Sequence, residues 1–364
     1  MILKEVHTKI DFCTFYKIPE EIYKNTIFYR ASEFDIIQLL VEGPSAFHQH
    51  ATIHSFVILK EEDVVGRFSL IHDQKLPEYV QVSFFEAQPD LYGVANLIVE
   101  KARTVFPHCK QIVIGLNGHL NYGAGILTSN FDEAPVFGLP YNREYYQDYF
   151  ADFRRIPLVS YQFPLKPFTD YHRRMGDHPD FKGITVRKLN KKKLRQETEI
   201  YTSLNNACFP THPFWAERSV QEDFELFYPF RYLIKEENLL FAEKDGKPIG
   251  FFLWYPDFNQ LLKGQQHLSF KHVLQYYFTH RIDTFRFTEI AVLPEYKMSH
   301  AVQAMILYAI PYIRKAGIKY GEGGFIFEEN TNSIAMTRRF LERATGLKME
   351  PHRHYALFET TLYY

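Results

Sequence analysis

The stretch "FTEIAVLPEYKMSHAVQAMILYAIPYIRKAG" (287–317) decides the fold: an apolar strand runs through a short polar loop into a helix. Apolar residues at 302, 306, 309, 310 and 313 place one buried face on that helix. Ser299 is expected to cap it, and Pro311 to kink it by removing a backbone hydrogen bond. A helix start after a strand offers free N–H groups and the positive end of the helix dipole, so this layout suits a phosphate. Yet the loop has no glycine.

Working outward, the chain says the same thing twice. "FVILKEEDVVGRFSLI" (56–71) and "LLFAEKDGKPIGFFLW" (239–254) both read as hairpins, with Gly66 matching Gly250. "VQVSFFEAQPDLYGVANLIVEKARTVF" (80–106) parallels the opening stretch, Pro89 matching Pro294, and a further strand follows each helix. The longer spacing in the second half is assigned to a helical insertion at 261–278. Each half closes with a helix and a strand, at 157–163 and 352–359. A strand, a helix and a next strand imply a parallel pair within a mixed sheet. The expected fold is α/β, two tandem domains each with a mixed central sheet and flanking helices. The expected boundaries are 1–165 and 183–364, with a linker over 166–182 that is rich in Pro, Gly and charge and lacks a sustained period.

The 42 basic and 43 acidic residues nearly cancel, which argues against nucleic acid or an anionic membrane as partner. Three widely spaced cysteines fit no disulfide framework, and a reducing cytoplasm is expected. The first residues are too polar for a signal peptide, and no apolar run reaches bilayer-spanning length. With 25 Tyr and 34 Phe, some aromatics are expected to line a pocket.

"EIAVLPEYK" (289–297) resembles the GNAT superfamily of acyl-CoA N-acyltransferases, whose strand and loop at this point read like "ELAVLPEYRGKGIG". Lys297 stands at the Arg position, and Met298, His300 and Val302 replace glycines. The first half is similar to a GNAT domain of bacterial tandem proteins through "NGHLNYGAGILTSNFDEAPVFGLPYNREYY" (117–146), at Asn117, Asn121, Gly125, Phe131, Asp132, Pro140, Tyr141, Asn142, Tyr145 and Tyr146. The resemblance implies an acyl-CoA-dependent N-acyltransferase, acetyl-CoA or another acyl-CoA being the co-substrate and a small-molecule amine the acceptor. Oligomeric state is left open. The alternative is a non-catalytic binding protein on a degenerate tandem scaffold, motivated by the missing glycines.

The resemblance also implies site residues. Ile290, Val292, Lys297, Met298, Ser299, His300, Ala301, Val302 and Asn332 are expected to bind the co-substrate, with a backbone N–H near residues 290–293 polarising the carbonyl. A surviving phosphate site requires Met298 and His300 to turn outward. Glu289 is the expected base through a water, Glu86 its analogue in the first half; a strand carboxylate paired to a cation is the alternative. The thiolate's acid in this superfamily is a Tyr seven residues after an Asn on the last helix. From Asn332 that position is Arg339, whereas from Asn142 it is Tyr149, which is otherwise a core aromatic. Asn117, Asn121, Tyr141, Asn142 and Tyr145 are expected to shape the acceptor pocket, loop self-bonding being the alternative. His48, His50 and His54 would share one strand face and His352 and His354 another, but without a clustered Cys or carboxylate no metal is expected.

Overall fold

The computed structural model describes residues 1–176, 181, 183–279 and 282–363, the side chains of Asn332 and Thr345 excepted. The first half contains β1 (Ile2–Glu5), α1 (Lys9–Ile22), α2 (Phe34–Val41), β2 (Ala51–Lys60), β3 (Asp63–Asp73), β4 (Tyr79–Ala87), α3 (Val94–Val105), β5 (Gln111–Ile114), β6 (Ile126–Leu127), α4 (Tyr146–Tyr149) and β7 (Arg154–Pro164). The second contains α5 (Lys166–Met175), β8 (Ile184–Lys188), α6 (Leu194–Cys208), α7 (Val220–Phe227), β9 (Leu239–Lys244), β10 (Lys247–Pro256), α8 (Phe270–Thr279), β11 (Thr284–Val292), α9 (Ala301–Lys315), β12 (Tyr320–Phe327), α10 (Thr331–Thr345) and β13 (Arg353–Thr361).

Both hairpins form where expected, β2–β3 and β9–β10. Gly66 and Gly250 play one role twice: a Cβ at either would stand 2.7 Å from a carbonyl oxygen of the neighbouring strand, Glu86 or Ala291. The pairs β4–β5 and β11–β12 are parallel, as the α3 and α9 crossovers require. Helix α9 buries Ile306, Ala309, Ile310 and Ile313 and continues past Pro311. On one face of the sheet α3 and α9 each cover a core; on the other α1 and α2 cover the first half and α6 the second.

Three features add to the expected layout. All strands join one sheet in the order β1-β2-β3-β4-β5-β13-β7-β12-β11-β10-β9-β8, with β6 on β13. The halves therefore do not close themselves. The chain's last strand, β13, pairs with β5 of the first half, while β7 pairs with β12 of the second, and the exchanged strands pair with each other. Within the expected linker, residues 166–175 form α5, whose Phe168 is buried against Phe163 and Phe340; residues 177–180 and 182 lie outside the described ones. The insertion does contain helix α8, but its leading segment reaches the first half. There Gln265 donates to the Pro19 carbonyl at 3.1 Å and His267 stacks on Phe34 at 4.5 Å.

Further contacts join the halves around α7. Glu225 accepts from Ser45 Oγ at 2.9 Å, and His50 lies between Asp73 (2.8 Å) and Glu222 (3.4 Å). Arg218 packs its guanidinium 4.7 Å over the Tyr122 ring. No helix among the described residues is long and apolar enough to cross a membrane.

Candidate active site

In the second half, β11 pairs with β12 only over Thr284–Phe287, so its later residues present an edge toward the gap. A bulge falls at the same place. Leu253 of β10 opposes Glu289 and Trp254 opposes Phe287, leaving Thr288 without a partner across the pair. The extra residue resets the alternation and aims Glu289 at α6. There Tyr201 and Asn205, one helical turn apart, donate to its two carboxylate oxygens, Asn205 at 2.7 Å. Burial raises the Glu289 carboxyl to about 7 against the opposing pull of those two bonds. Sequence reasoning named Glu289 but missed its holders. The spacing of Tyr201 and Asn205, i and i+4 on an amphipathic helix, was the available signal. Among the described residues no side chain accepts from the backbone N–H groups of Thr288–Val292, and Thr288 Oγ1 is buried without a partner.

The first half repeats the geometry and fills it. β4 pairs with β5 only over Tyr79–Val82, and Phe84, at φ +54°, forms the matching bulge. Here the exposed edge is taken by the chain itself. Asn117 Oδ1 accepts from Phe84 N at 3.1 Å, and Tyr146 Oη accepts from Ala87 N at 2.9 Å. Tyr145 donates to the Ala87 carbonyl at 2.8 Å and Tyr149 to that of Gln88. Glu86, whose carboxyl burial raises, receives the hydroxyls of Tyr23 (2.7 Å) and Tyr146 (2.5 Å).

The loops before α3 and α9 show the converse. Gly93 precedes α3 at φ +79°, and His300 precedes α9 at φ +65°, so a histidine makes the left-handed turn that glycine makes in the first half. His300, not Ser299, is the N-cap, and no side chain caps the helix. Ser299 Oγ is buried and unpartnered. Met298 is 92% exposed and His300 is exposed, so both side chains turn outward and the helix start is open. The half with Gly93 has side chains on the free edge of β4, and the half with His300 has none on that of β11.

No family model matches the sequence. Protein YghO of Escherichia coli K12 is 21% identical over 254 residues, 66% of this chain, and the match spans 63% of that protein's length. Among solved structures, a tandem GNAT protein from the clavulanic acid biosynthesis pathway superposes with a TM-score of 0.58 at 14% identity, covering 99% of both chains. A GCN5-related N-acetyltransferase from Sphaerobacter thermophilus gives 0.51 at 11% identity, over 99% of this chain and 95% of that one. The chain has a tandem GNAT fold.

The residues expected to bind the co-substrate run from β11 to the start of α9. Ile290 and Val292 lie on the part of β11 that pairs with β10 but not with β12, and Lys297, Met298, Ser299, His300, Ala301 and Val302 follow at the turn into α9. The Asn332 side chain lies outside the described residues. Arg339 is exposed and Phe340 packs on Phe168. Tyr149 is half-buried against Phe85, Tyr145 and Tyr146 in the first half's core, and burial pushes its hydroxyl up to about 12.

The expected acceptor residues do not form one pocket. Asn142 is spent on the backbone of Leu127 (2.6 and 3.1 Å) and Arg143 (2.9 Å). Asn117 and Tyr145 are spent on β4, as above, and Asn121 is half-buried in a single 3-10 turn, Leu120–Tyr122. Tyr141 lines a cavity of the first half.

The histidines also separate. His48 contacts the Leu40 carbonyl, His54 the Glu5 carboxylate, His352 that of Glu133 and His354 that of Glu328. Among the described residues, His72, His108 and Cys109 could offer three metal-ligand atoms, which lie within 4.8 Å of one another.

The filled groove makes a prediction. Tyr146→Phe removes a hydroxyl that both accepts from Ala87 N and donates to Glu86, so thermal unfolding should show a loss of about 1–3 kcal/mol. Acetyl-CoA affinity, measured alongside, should not change.

Proposed function

We propose that this chain is an acyl-CoA-dependent N-acyltransferase whose second half carries the reaction. One observation supports this above the rest: of two matching gaps in the sheet, only the second leaves its strand edge unclaimed by the chain's own side chains, and a buried carboxylate stands beside it. An extended acyl-CoA arm can add to such an edge through backbone hydrogen bonds. The open start of α9, with Lys297 before it, suits the pyrophosphate.

In this reading an amine attacks the thioester carbonyl. A C–N bond forms, the C–S bond breaks, and a backbone N–H on the free stretch of β11 stabilises the oxyanion. Glu289 takes the amine's proton through a water. It titrates near neutrality, where a base combines adequate population with adequate strength. The departing thiolate takes its proton from solvent, since the position expected for a tyrosine is Arg339.

Calorimetric titration with acetyl-CoA tests the proposal. The expected result is one equivalent bound, with acetyl transfer to members of an amine panel. Two equivalents would reopen the first half as a site, and no heat at all would overturn the proposal. Binding without transfer to any amine would instead favour a non-catalytic acyl-CoA binder.

A further inference from the structure

One cluster of ligating side chains lies outside everything that acyl transfer uses. His72 stands near the end of β3, and His108 and Cys109 lie in the turn that leads from α3 into β5. In the sheet, five strands separate β3 from β11 and its Glu289. Strand β4 lies between β3 and β5, and the turn reaches across its start to meet His72. Phe106 packs edge-on against both imidazoles, at 5.4 Å from His72 and 6.3 Å from His108, and the two imidazoles meet at 4.6 Å.

The distances fit a metal ion. Cys109 Sγ lies 3.7 Å from His72 Nδ1, and one ligand atom from each of the three residues lies within 4.8 Å of the other two. Zinc bonds of about 2.0–2.1 Å to nitrogen and about 2.3 Å to sulfur, at tetrahedral angles, hold two such atoms about 3.3–3.6 Å apart. Cys109 and His72 already stand at nearly that separation. His108 is exposed, so a turn of its side chain closes the rest.

The chemistry of the three groups agrees. Cys109 is fully buried, and its thiol contacts only the His72 ring and the Pro77 carbonyl, each at 3.7 Å, both weak contacts for sulfur. Burial and the neighbouring His108 ring lower His72, which keeps it in the neutral form that a metal binds. The Tyr79 backbone hydrogen-bonds the same ring, the kind of outer contact that fixes which nitrogen faces a metal. Two imidazoles with one thiolate suit zinc rather than magnesium or calcium, which take oxygen ligands.

We propose that His72, His108 and Cys109 bind a zinc ion, with water in the fourth position, and so cross-link β3 to the turn before β5. As the S–Zn bond forms, the Cys109 thiol releases its proton to solvent, and the thiolate offsets one of the two charges of zinc. The clamped turn also receives the end of the chain: Leu362 N donates to the Lys110 carbonyl at 2.8 Å, and the Tyr363 hydroxyl to that of Pro107 at 2.7 Å.

Cobalt(II) titration of the full chain, stripped of metal and carrying no histidine tag, tests this. One equivalent should bring the visible bands of tetrahedral cobalt with a thiolate-to-cobalt charge-transfer band in the near ultraviolet, and one equivalent of zinc should abolish both. Zinc affinity, read by competition with a chromophoric chelator, should fall at least about tenfold in His108→Gln, where the replaced side chain is exposed and the fold is undisturbed. Cys109→Ser should lose the charge-transfer band. His354→Gln removes a histidine paired with Glu328 instead, and should bind zinc as the parent does. Zinc should raise the unfolding temperature of the parent and leave that of His108→Gln nearly unchanged. Octahedral cobalt without the charge-transfer band, zinc affinity unchanged in His108→Gln, or a charge-transfer band that survives in Cys109→Ser would overturn the proposal.

Discussion

Glu289→Gln is expected to lower kcat by about two to three orders of magnitude while leaving acetyl-CoA affinity within a factor of about two. The amide keeps the shape and an acceptor oxygen for one of Tyr201 and Asn205, turns its NH2 to the other, and cannot take a proton. Wild-type activity should rise with pH through an ionisation near 7, and the residual activity of the variant should lack that limb. Stability moves the opposite way. A carboxyl whose folded value lies above its unfolded value of 4.5 favours the fold most below that value, and the benefit is lost as pH rises through about 7. Thermal unfolding should therefore show the variant gaining on the parent between pH 5 and pH 8. A kcat within threefold of wild type would place the base elsewhere, and an acidic limb that survives the substitution would assign that limb to another group.

The largest stability effect is expected at the joint between the halves. Arg218 Nε donates to Asp223 at 2.6 Å, with side chains 0% and 1% exposed, and Thr202 donates to the other Asp223 oxygen at 2.7 Å. Both guanidinium Nη atoms lack any other hydrogen bond. Asp223→Ala takes from a buried cation the anion that hydrogen-bonds it, leaving only the longer-range pull of Glu222, at a cost of about 3–5 kcal/mol. A fall in Tm of roughly 5–15 °C should follow. The double replacement Arg218→Met with Asp223→Leu should recover most of that loss, because it removes the need to bury either charge. A double variant less stable than the single one would show that the pair contributes more than mutual neutralisation.

Much of this architecture is legible in the residues. The doubled hairpin, strand, loop and helix follow from periodicity and from two glycines that admit a close strand. Glu289 follows from its place before "AVLPEYK". What is not legible depends on partners. The strand "RHYALFETT" alternates in the same way whichever neighbour it joins, so its transfer to β5 leaves no mark on the pattern. Asn117, Tyr145 and Tyr146 are residue types that bind ligands and backbones equally well, and here the backbone of β4 takes them. Helix α5 is masked by composition, because "KPFTDYHRRM" has few apolar residues and only Phe168 is buried.

The placement of β13 also governs when the protein can become itself. Residues 111–114 pair with 358–361, so the first half of the chain leaves the ribosome with one flank of β5 bare. It stays so until residues 358–361 are made, a wait of tens of seconds at ordinary elongation rates of about 5–20 residues per second. An edge left open that long invites pairing with other nascent chains. Loss of residues 358–361 would then be felt in the first half of the molecule, whose β5 they cover.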